Sequence, residues 1–132
     1  MKLEHVAIWC RDLEKMRSFY TEYFNATSND KYRNPQTGFE SYFLTFPRGA
    51  RLEIMWRQDI PENRNDTIGQ QHQGLIHMAF DAGTRENVDA MAEKFRADEI
   101  PVLRGPRLTG DGYYEFESCD PENNRIEVIS TT

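Results

Sequence analysis

Apolar residues recur at helical spacing in two stretches of the chain. In the first stretch Asp12 is placed to cap a helix, and the apolar stripe behind it consists of Met16, Phe19, Tyr20, Tyr23 and Phe24. In the second stretch Thr84 is the capping residue, and the stripe consists of Val88, Met91, Ala92 and Phe95. Both patterns predict an amphipathic helix that buries one face.

The rest of the chain consists of short apolar stretches separated by turn residues, which predicts β-strands. The first-half candidates are Leu3–Trp9, about Ser28–Arg33, Phe39–Phe46 and Ala50–Trp56. Those of the second half are Leu75–Phe80, Pro101–Arg104, Tyr113–Cys119 and Arg125–Ile129. Each half is therefore predicted to run strand, helix, strand, strand, strand, which is an α+β arrangement.

The two halves form an internal repeat. The stretch His5-Val6-Ala7-Ile8 corresponds to His77-Met78-Ala79-Phe80, and Leu52-Glu53-Ile54-Met55 corresponds to Ile126-Glu127-Val128-Ile129. This predicts a single domain over residues 1–132, with one module at 1–57, a polar linker at 58–73 and a second module at 74–132. Because neither module is large enough to close its own core, the modules are expected to pack on each other or on a partner chain.

Composition and charge limit the classes of partner. The chain carries 22 acidic against 16 Lys and Arg residues, a net charge of -6, and no basic stripe, which argues against nucleic acid. No apolar run is long enough to span a membrane, and the first ten residues lack a signal-peptide pattern, so a soluble, cytoplasmic protein is expected. Cys10 and Cys119 are far apart and predict two buried free thiols.

Four polar residues interrupt apolar strands at equivalent positions of the repeat. A single His in such a strand is more often a hydrogen-bonded core or edge residue, and a single Glu more often points to water. Surface alternation gives no reason, however, to place His5 and Glu53 in one module and His77 and Glu127 in the other. Imidazole nitrogen and carboxylate oxygen are ligands of divalent ions, so the pattern indicates a metal site.

The other charged strand residues lack this symmetry. Glu40, Glu115 and Glu117 have no His partner at the repeat spacing and are interpreted as solvent-facing. His72 is interpreted as a loop residue. For Arg104 and Arg107, binding of a substrate anion and a surface role remain equally open.

At these residues the chain resembles the vicinal oxygen chelate superfamily, and within it glyoxalase I. The resemblance rests on the two His and two Glu segments, on Asp12-Leu13-Glu14 leading to Phe19-Tyr20, and on Gly110-Asp111-Gly112-Tyr113-Tyr114 and Asp120-Pro121. It implies two βαβββ modules that form a cupped mixed sheet. It also implies that His5, Glu53, His77 and Glu127 hold one divalent ion (Ni, Co, Zn, Mn or Fe) and that the protein is a homodimer.

The resemblance implies a glyoxalase-type lyase or isomerase acting on a small molecule. A proton would be transferred next to a carbonyl through a metal-bound enediolate, with Glu127 as the base and Glu53 as its counterpart. Two other classes stay open: a different metalloenzyme of the superfamily, such as a thiol transferase or an extradiol dioxygenase, and a metal-free drug- or metabolite-binding protein of the bleomycin-resistance type.

Two positions depart from the glyoxalase I pattern. Trp9 stands where those enzymes typically have an Arg, and Arg57 stands where they have an Asn. Both positions bear on how a glutathione adduct docks. Another thiol adduct, or a small 2-oxo or 2-hydroxy compound, therefore remains open as the substrate.

Overall fold

The two predicted helices form where their capping residues and apolar stripes place them. The computed structural model describes all 132 residues. Helix α1 spans Leu13–Tyr23, and its N-cap Asp12 accepts a hydrogen bond from the backbone N–H of Lys15 at 3.0 Å. Helix α2 spans Arg85–Ala97 and is capped by the Thr84 hydroxyl, which accepts from the backbone N–H of Asn87. Neither helix is of a length and apolarity that would let it cross a membrane.

Nine strands complete the fold. They are β1 (His5–Trp9), β2 (Thr27–Ser28), β3 (Tyr32–Arg33), β4 (Glu40–Thr45), β5 (Arg51–Trp56), β6 (His77–Asp81), β7 (Val102–Leu108), β8 (Tyr114–Cys119) and β9 (Arg125–Ser130). Two of the predicted strands differ clearly from the structure.

The stretch Ser28–Arg33, predicted as one strand, is two short strands that pair separately with β4. Asn29 interrupts it, because its side-chain oxygen accepts the backbone N–H of Phe43 at 2.9 Å. Strand β7 is longer than predicted and continues through Gly105 and Pro106 to Leu108. Gly105 has φ +85° and lies so close to β8 that a Cβ would be 2.5 Å from the Glu115 carbonyl oxygen, so only glycine fits this shift in register.

The strands form two mixed sheets, which confirms the α+β class. In the first sheet the order is β1-β5-β4-β2, with β3 also paired to β4, and in the second it is β6-β9-β8-β7. The β1–β5 and β6–β9 pairs are parallel, and the other neighbours are antiparallel. In each sheet the first and last strands of the repeat are therefore neighbours.

Each sheet belongs to one compact unit and packs one face against one helix. The first unit is Met1–Asn63, and the second is Arg64–Thr132. In the first, the fully buried core side chains come from α1, β4 and β5: Met16, Tyr20, Leu44, Leu52 and Ile54. In the second, they come from α2, β8 and β9: Val88, Phe95, Phe116, Ile126 and Val128. Burial of each such side chain contributes roughly 1.5–3 kcal/mol, which holds each helix on its sheet.

Part of the polar segment 58–73 packs within the second unit. Thr67 is buried, and its hydroxyl donates to the Asn123 carbonyl at 2.5 Å. The Arg125 guanidinium donates to the carbonyl oxygens of Thr67 and Ile68. The boundary between the two units lies at Asn63–Arg64, inside this segment.

Candidate metal centre

In the first unit, the parallel pairing of β1 and β5 places His5 and Glu53 on the sheet face opposite α1. Leu52 and Ile54 are buried under the helix, so Glu53 between them points to the other face. Ala7 is the cross-strand partner of Glu53, and His5 shares the face of Ala7. The Nε2 atom of His5 lies 3.8 Å from Oε1 of Glu53.

The orientation of the His5 ring is set by neighbours that the sequence interpretation did not single out. Glu4 accepts a hydrogen bond from Nδ1 of His5 at 3.0 Å, and the Arg51 Nε–H donates to Glu4 at 3.1 Å. The Arg51 hydrogen bond, reinforced by His5, lowers the pKa of Glu4 to about 2. An ionised carboxylate only accepts hydrogen bonds, so Nδ1 of His5 is the donor to Glu4, and Nε2 is the ring nitrogen that faces Glu53.

The second unit repeats the arrangement with His77 and Glu127. Ala79 is the partner of Glu127 across the β6–β9 pair, as Ala7 is of Glu53. The Nε2 atom of His77 lies 3.3 Å from Oε2 of Glu127. The structure thus brings together two of the four predicted site residues in each unit.

The surroundings of Glu127 are more acidic than those of Glu53. Glu117 is the cross-strand partner of Glu127 and Glu115 is nearby, whereas Phe43 is the partner of Glu53. Burial raises the pKa of Glu127; His77 opposes the shift, and the charges of Glu115 and Glu117 add to it. A carboxylate in such surroundings is a stronger base than one in water.

The interpretation of Glu115 and Glu117 as solvent-facing is wrong. Both are buried, with 7% and 6% of their surface exposed, because the β8–β9 register places them on the face of Glu127. Arg125 compensates Glu117 at 3.2 Å, and Arg107 lies 3.5 Å from Glu115. Such compensation is what makes burial of a carboxylate tolerable.

Glu40 is also less exposed than interpreted. Its side chain is 18% exposed and pairs with Lys31 at 3.1 Å. Arg104 is exposed. His72 lies outside the helices and strands, as expected for a loop residue, and its Nδ1 atom is 3.0 Å from the Gln73 carbonyl oxygen. Cys10 and Cys119 form no disulfide and are buried, which confirms that prediction, and burial raises the pKa of the Cys119 thiol.

The residues that orient the site were not predicted, although the sequence carries a signal for them. Each Glu is preceded by an Arg two residues earlier, as Arg51-Leu52-Glu53 and Arg125-Ile126-Glu127. Each Arg pairs with a carboxylate: Arg51 with Glu4 and Arg125 with Glu117. The repeated Arg-apolar-Glu pattern therefore marks both pairs.

The donor types suit a divalent metal, but neither pair alone supplies a full set of ligands. No group of three or more His, Cys, Asp or Glu side chains is placed to hold an ion. Divalent ions in proteins take four or more ligands, and each pair supplies one nitrogen and one carboxylate. The Glu4–His5 hydrogen bond is the kind of outer contact that metal-binding His residues have. The donor types of His5, Glu53, His77 and Glu127 therefore fit a divalent ion.

Comparison with known proteins agrees with this fold. The profile of the Glyoxalase/Bleomycin resistance protein/Dioxygenase superfamily matches residues 2–128, which is nearly the whole chain. The chain belongs to this superfamily. It is also 25% identical over 140 residues to YqjT, an uncharacterized protein of Bacillus subtilis (strain 168), covering 97% of this chain and 98% of YqjT.

Solved structures of the superfamily share the fold. A glyoxalase/bleomycin resistance protein/dioxygenase domain from Frankia sp. EAN1pec has a TM-score of 0.80 and 17% identity, with 98% of this chain and 97% of that chain covered. The trypanothione-dependent glyoxalase I of Leishmania major has a TM-score of 0.75 and 19% identity, covering 99% and 87%. The fosfomycin resistance protein FosX from Listeria monocytogenes, complexed with Mn(II) and sulfate, has a TM-score of 0.69 and 20% identity, covering 98% and 92%. At these identities the likeness establishes the fold alone.

Proposed function

We propose that this protein is a metal-dependent lyase or isomerase of glyoxalase type. The observation that supports this best is the matched His–Glu pair in each unit, 3.8 Å apart for His5 and Glu53 and 3.3 Å apart for His77 and Glu127. Two imidazole nitrogens and two carboxylates together hold one divalent ion with no net charge. Superfamily membership alone does not choose a reaction, so the proposal depends on this four-residue set.

His5, Glu53, His77 and Glu127 would hold the ion, which would supply Lewis-acid polarisation of the substrate carbonyl. Glu127 takes the proton from the carbon next to the carbonyl and returns it to the neighbouring carbon. Its place beside the buried Glu115 and Glu117 suits this role, because burial and these neighbouring charges raise the pKa of Glu127. Glu53, beside Phe43, would act as a ligand only.

The substrate class that this site supports is a small 2-oxoaldehyde thiol adduct or a related compound. The test is a screen of metal-reconstituted protein against methylglyoxal combined with several thiols, preceded by elemental analysis of the purified chain. We expect stoichiometric divalent metal and turnover with at least one adduct. Absence of stoichiometric metal contradicts the proposal and leaves the metal-free binding class.

Replacement of Glu4 by Gln tests the role of the neighbour of His5. The amide keeps the shape of the side chain but loses the charge that fixes the proton on Nδ1, so we expect metal affinity to fall by about 10-fold. The affinity is measured by competition with a chelator. Glu93→Gln, an exposed partner of Arg96 on α2, is the matched control and should keep the wild-type affinity. Equal affinities of both variants would show that Glu4 does not orient the ligand.

A homodimer is part of the proposal. One helix covers one face of each sheet, and large apolar side chains remain exposed in both units: Leu3, Ile68, Leu75 and Leu108. A two-fold pair of chains would cover such surface with self-complementary contacts. We expect light scattering to give twice the 15.5 kDa mass of one chain. A mass of one chain that is independent of concentration would rule out the dimer while leaving an intrachain metal site intact.

A further inference from the structure

Three aromatic rings lie side by side at one end of the first sheet. The rings of Trp9 and Phe39 meet edge to face, with 5.9 Å between their centroids, and those of Phe39 and Tyr32 are 6.1 Å apart. Trp9 keeps 40% of its surface exposed, and Tyr32 keeps 52%. We call these three residues the aromatic cluster. Exposed aromatic rings that already contact one another are suited to stack on a further flat ring.

The aromatic cluster is on the same sheet face as the first His–Glu pair. His5, Ala7 and Trp9 alternate with the residues of β1 that point to the helix, so all three share the face of Glu53. Ala7, the cross-strand partner of Glu53, is only two residues from Trp9, which is about 7 Å along the strand. Ala7 places only a methyl group on β1 between His5 and Trp9, and Met55 is the cross-strand partner of Trp9.

The charges around the cluster do not favour an anion. The Arg57 guanidinium lies 5.6 Å from the centre of the Trp9 ring, but it is already engaged by the Asp59 carboxylate through both Nε and Nη2. A substrate carboxylate would have to displace Asp59 from Arg57. An uncharged ring meets no such competition, and it gains contact with the indole and with the paired guanidinium.

We infer that the aromatic cluster is a substrate subsite for a flat apolar group, such as a phenyl ring, carried by a molecule whose oxygens face Glu53. The inference rests on the proposed function, because the polar end of this molecule binds beside His5 and Glu53. It names the substrate class more closely, as an aryl-substituted 2-oxo or 2-hydroxy compound. Trp9 sets the preference, because its indole is the exposed ring nearest to Glu53 along the strand.

Mandelate and lactate test this inference, since they share a 2-hydroxy acid head and differ by a phenyl in place of a methyl group. The Trp56→Phe variant leaves Trp9 as the single Trp of the chain, so its fluorescence reports binding. We expect mandelate to bind the zinc-loaded protein about 10-fold more tightly than lactate and to change Trp9 emission. Without metal we expect both acids to bind more weakly, with mandelate still bound more tightly than lactate.

Two variants of Trp9 complete the experiment, with affinity measured by calorimetry. Trp9→Ala should abolish the preference for mandelate while leaving lactate binding unchanged. Trp9→Phe should keep most of the preference for mandelate. Equal affinities for the two acids in the parent protein, or a preference that survives Trp9→Ala, would overturn the inference. So would a Trp9→Ala variant whose mass by light scattering falls from two chains to one, since the cluster would then be an interface between copies.

The outcomes separate this inference from the proposed function. A Trp9-dependent preference for mandelate in a protein that turns over no thiol adduct supports the subsite and contradicts the proposed reaction. Turnover of methylglyoxal adducts without any phenyl preference supports the reaction and contradicts the subsite. Neither result depends on the other measurement.

Discussion

Replacement of Glu127 by Gln is expected to lower turnover by roughly 10²- to 10⁴-fold on a substrate confirmed in the screen. The amide keeps the shape of the side chain and one oxygen that can ligate, but it cannot accept the substrate proton. Metal content should fall much less than turnover. The measurement is kcat on metal-reconstituted protein, with bound metal determined on the same sample.

Glu53→Gln is the internal comparison for this prediction. Glu53 lies beside Phe43, while Glu127 lies among buried carboxylates, so the two positions of the repeat are not equivalent. We therefore expect a milder loss from Glu53→Gln. An equal loss would show that the substrate is deprotonated from either side. Wild-type turnover of Glu127→Gln with metal bound would make Glu127 a ligand only, and the proton-transfer mechanism would have to be abandoned.

Removal of either predicted His ligand should weaken metal binding by about 10-fold or more. Loss of a direct ligand is expected to cost at least as much as loss of an outer contact. His5→Ala and His77→Ala each remove one nitrogen from the proposed four-residue set. Elemental analysis after dialysis against a chelator measures the effect.

The chain contains a third His that serves as a matched control. His72 lies outside the strands and contacts the Gln73 carbonyl oxygen, so His72→Ala should retain metal like the wild type. Full retention of metal by both His5→Ala and His77→Ala would end the four-residue proposal. Loss in all three variants would indicate a general effect on the fold, which the thermal unfolding midpoint would reveal.

Local patterns were enough to predict the elements and the pairing of site residues. Helix caps and apolar stripes act within a few residues, so Asp12 and Thr84 identified both helices. The repeat identified the two His–Glu pairs, because the first and last strands of each unit are parallel neighbours and carry their polar residues at equivalent positions. The interruption at Asn29 and the passage of β7 through Gly105 were not predicted, since both depend on contacts with a neighbouring strand.

The α+β class, the repeat, the helices and the candidate ligands follow from the sequence alone. What surrounds those ligands depends on tertiary contacts: the burial of Glu115 and Glu117 beside Glu127, the Glu4 contact with His5, and the aromatic cluster around Trp9. The physical reason is that strand alternation states which face a residue occupies but not what covers that face. Burial and charge compensation depend on contacts with neighbouring strands and loops, such as those of Arg125 with Glu117 on β8 and with the carbonyl of Thr67, 58 residues earlier in the chain.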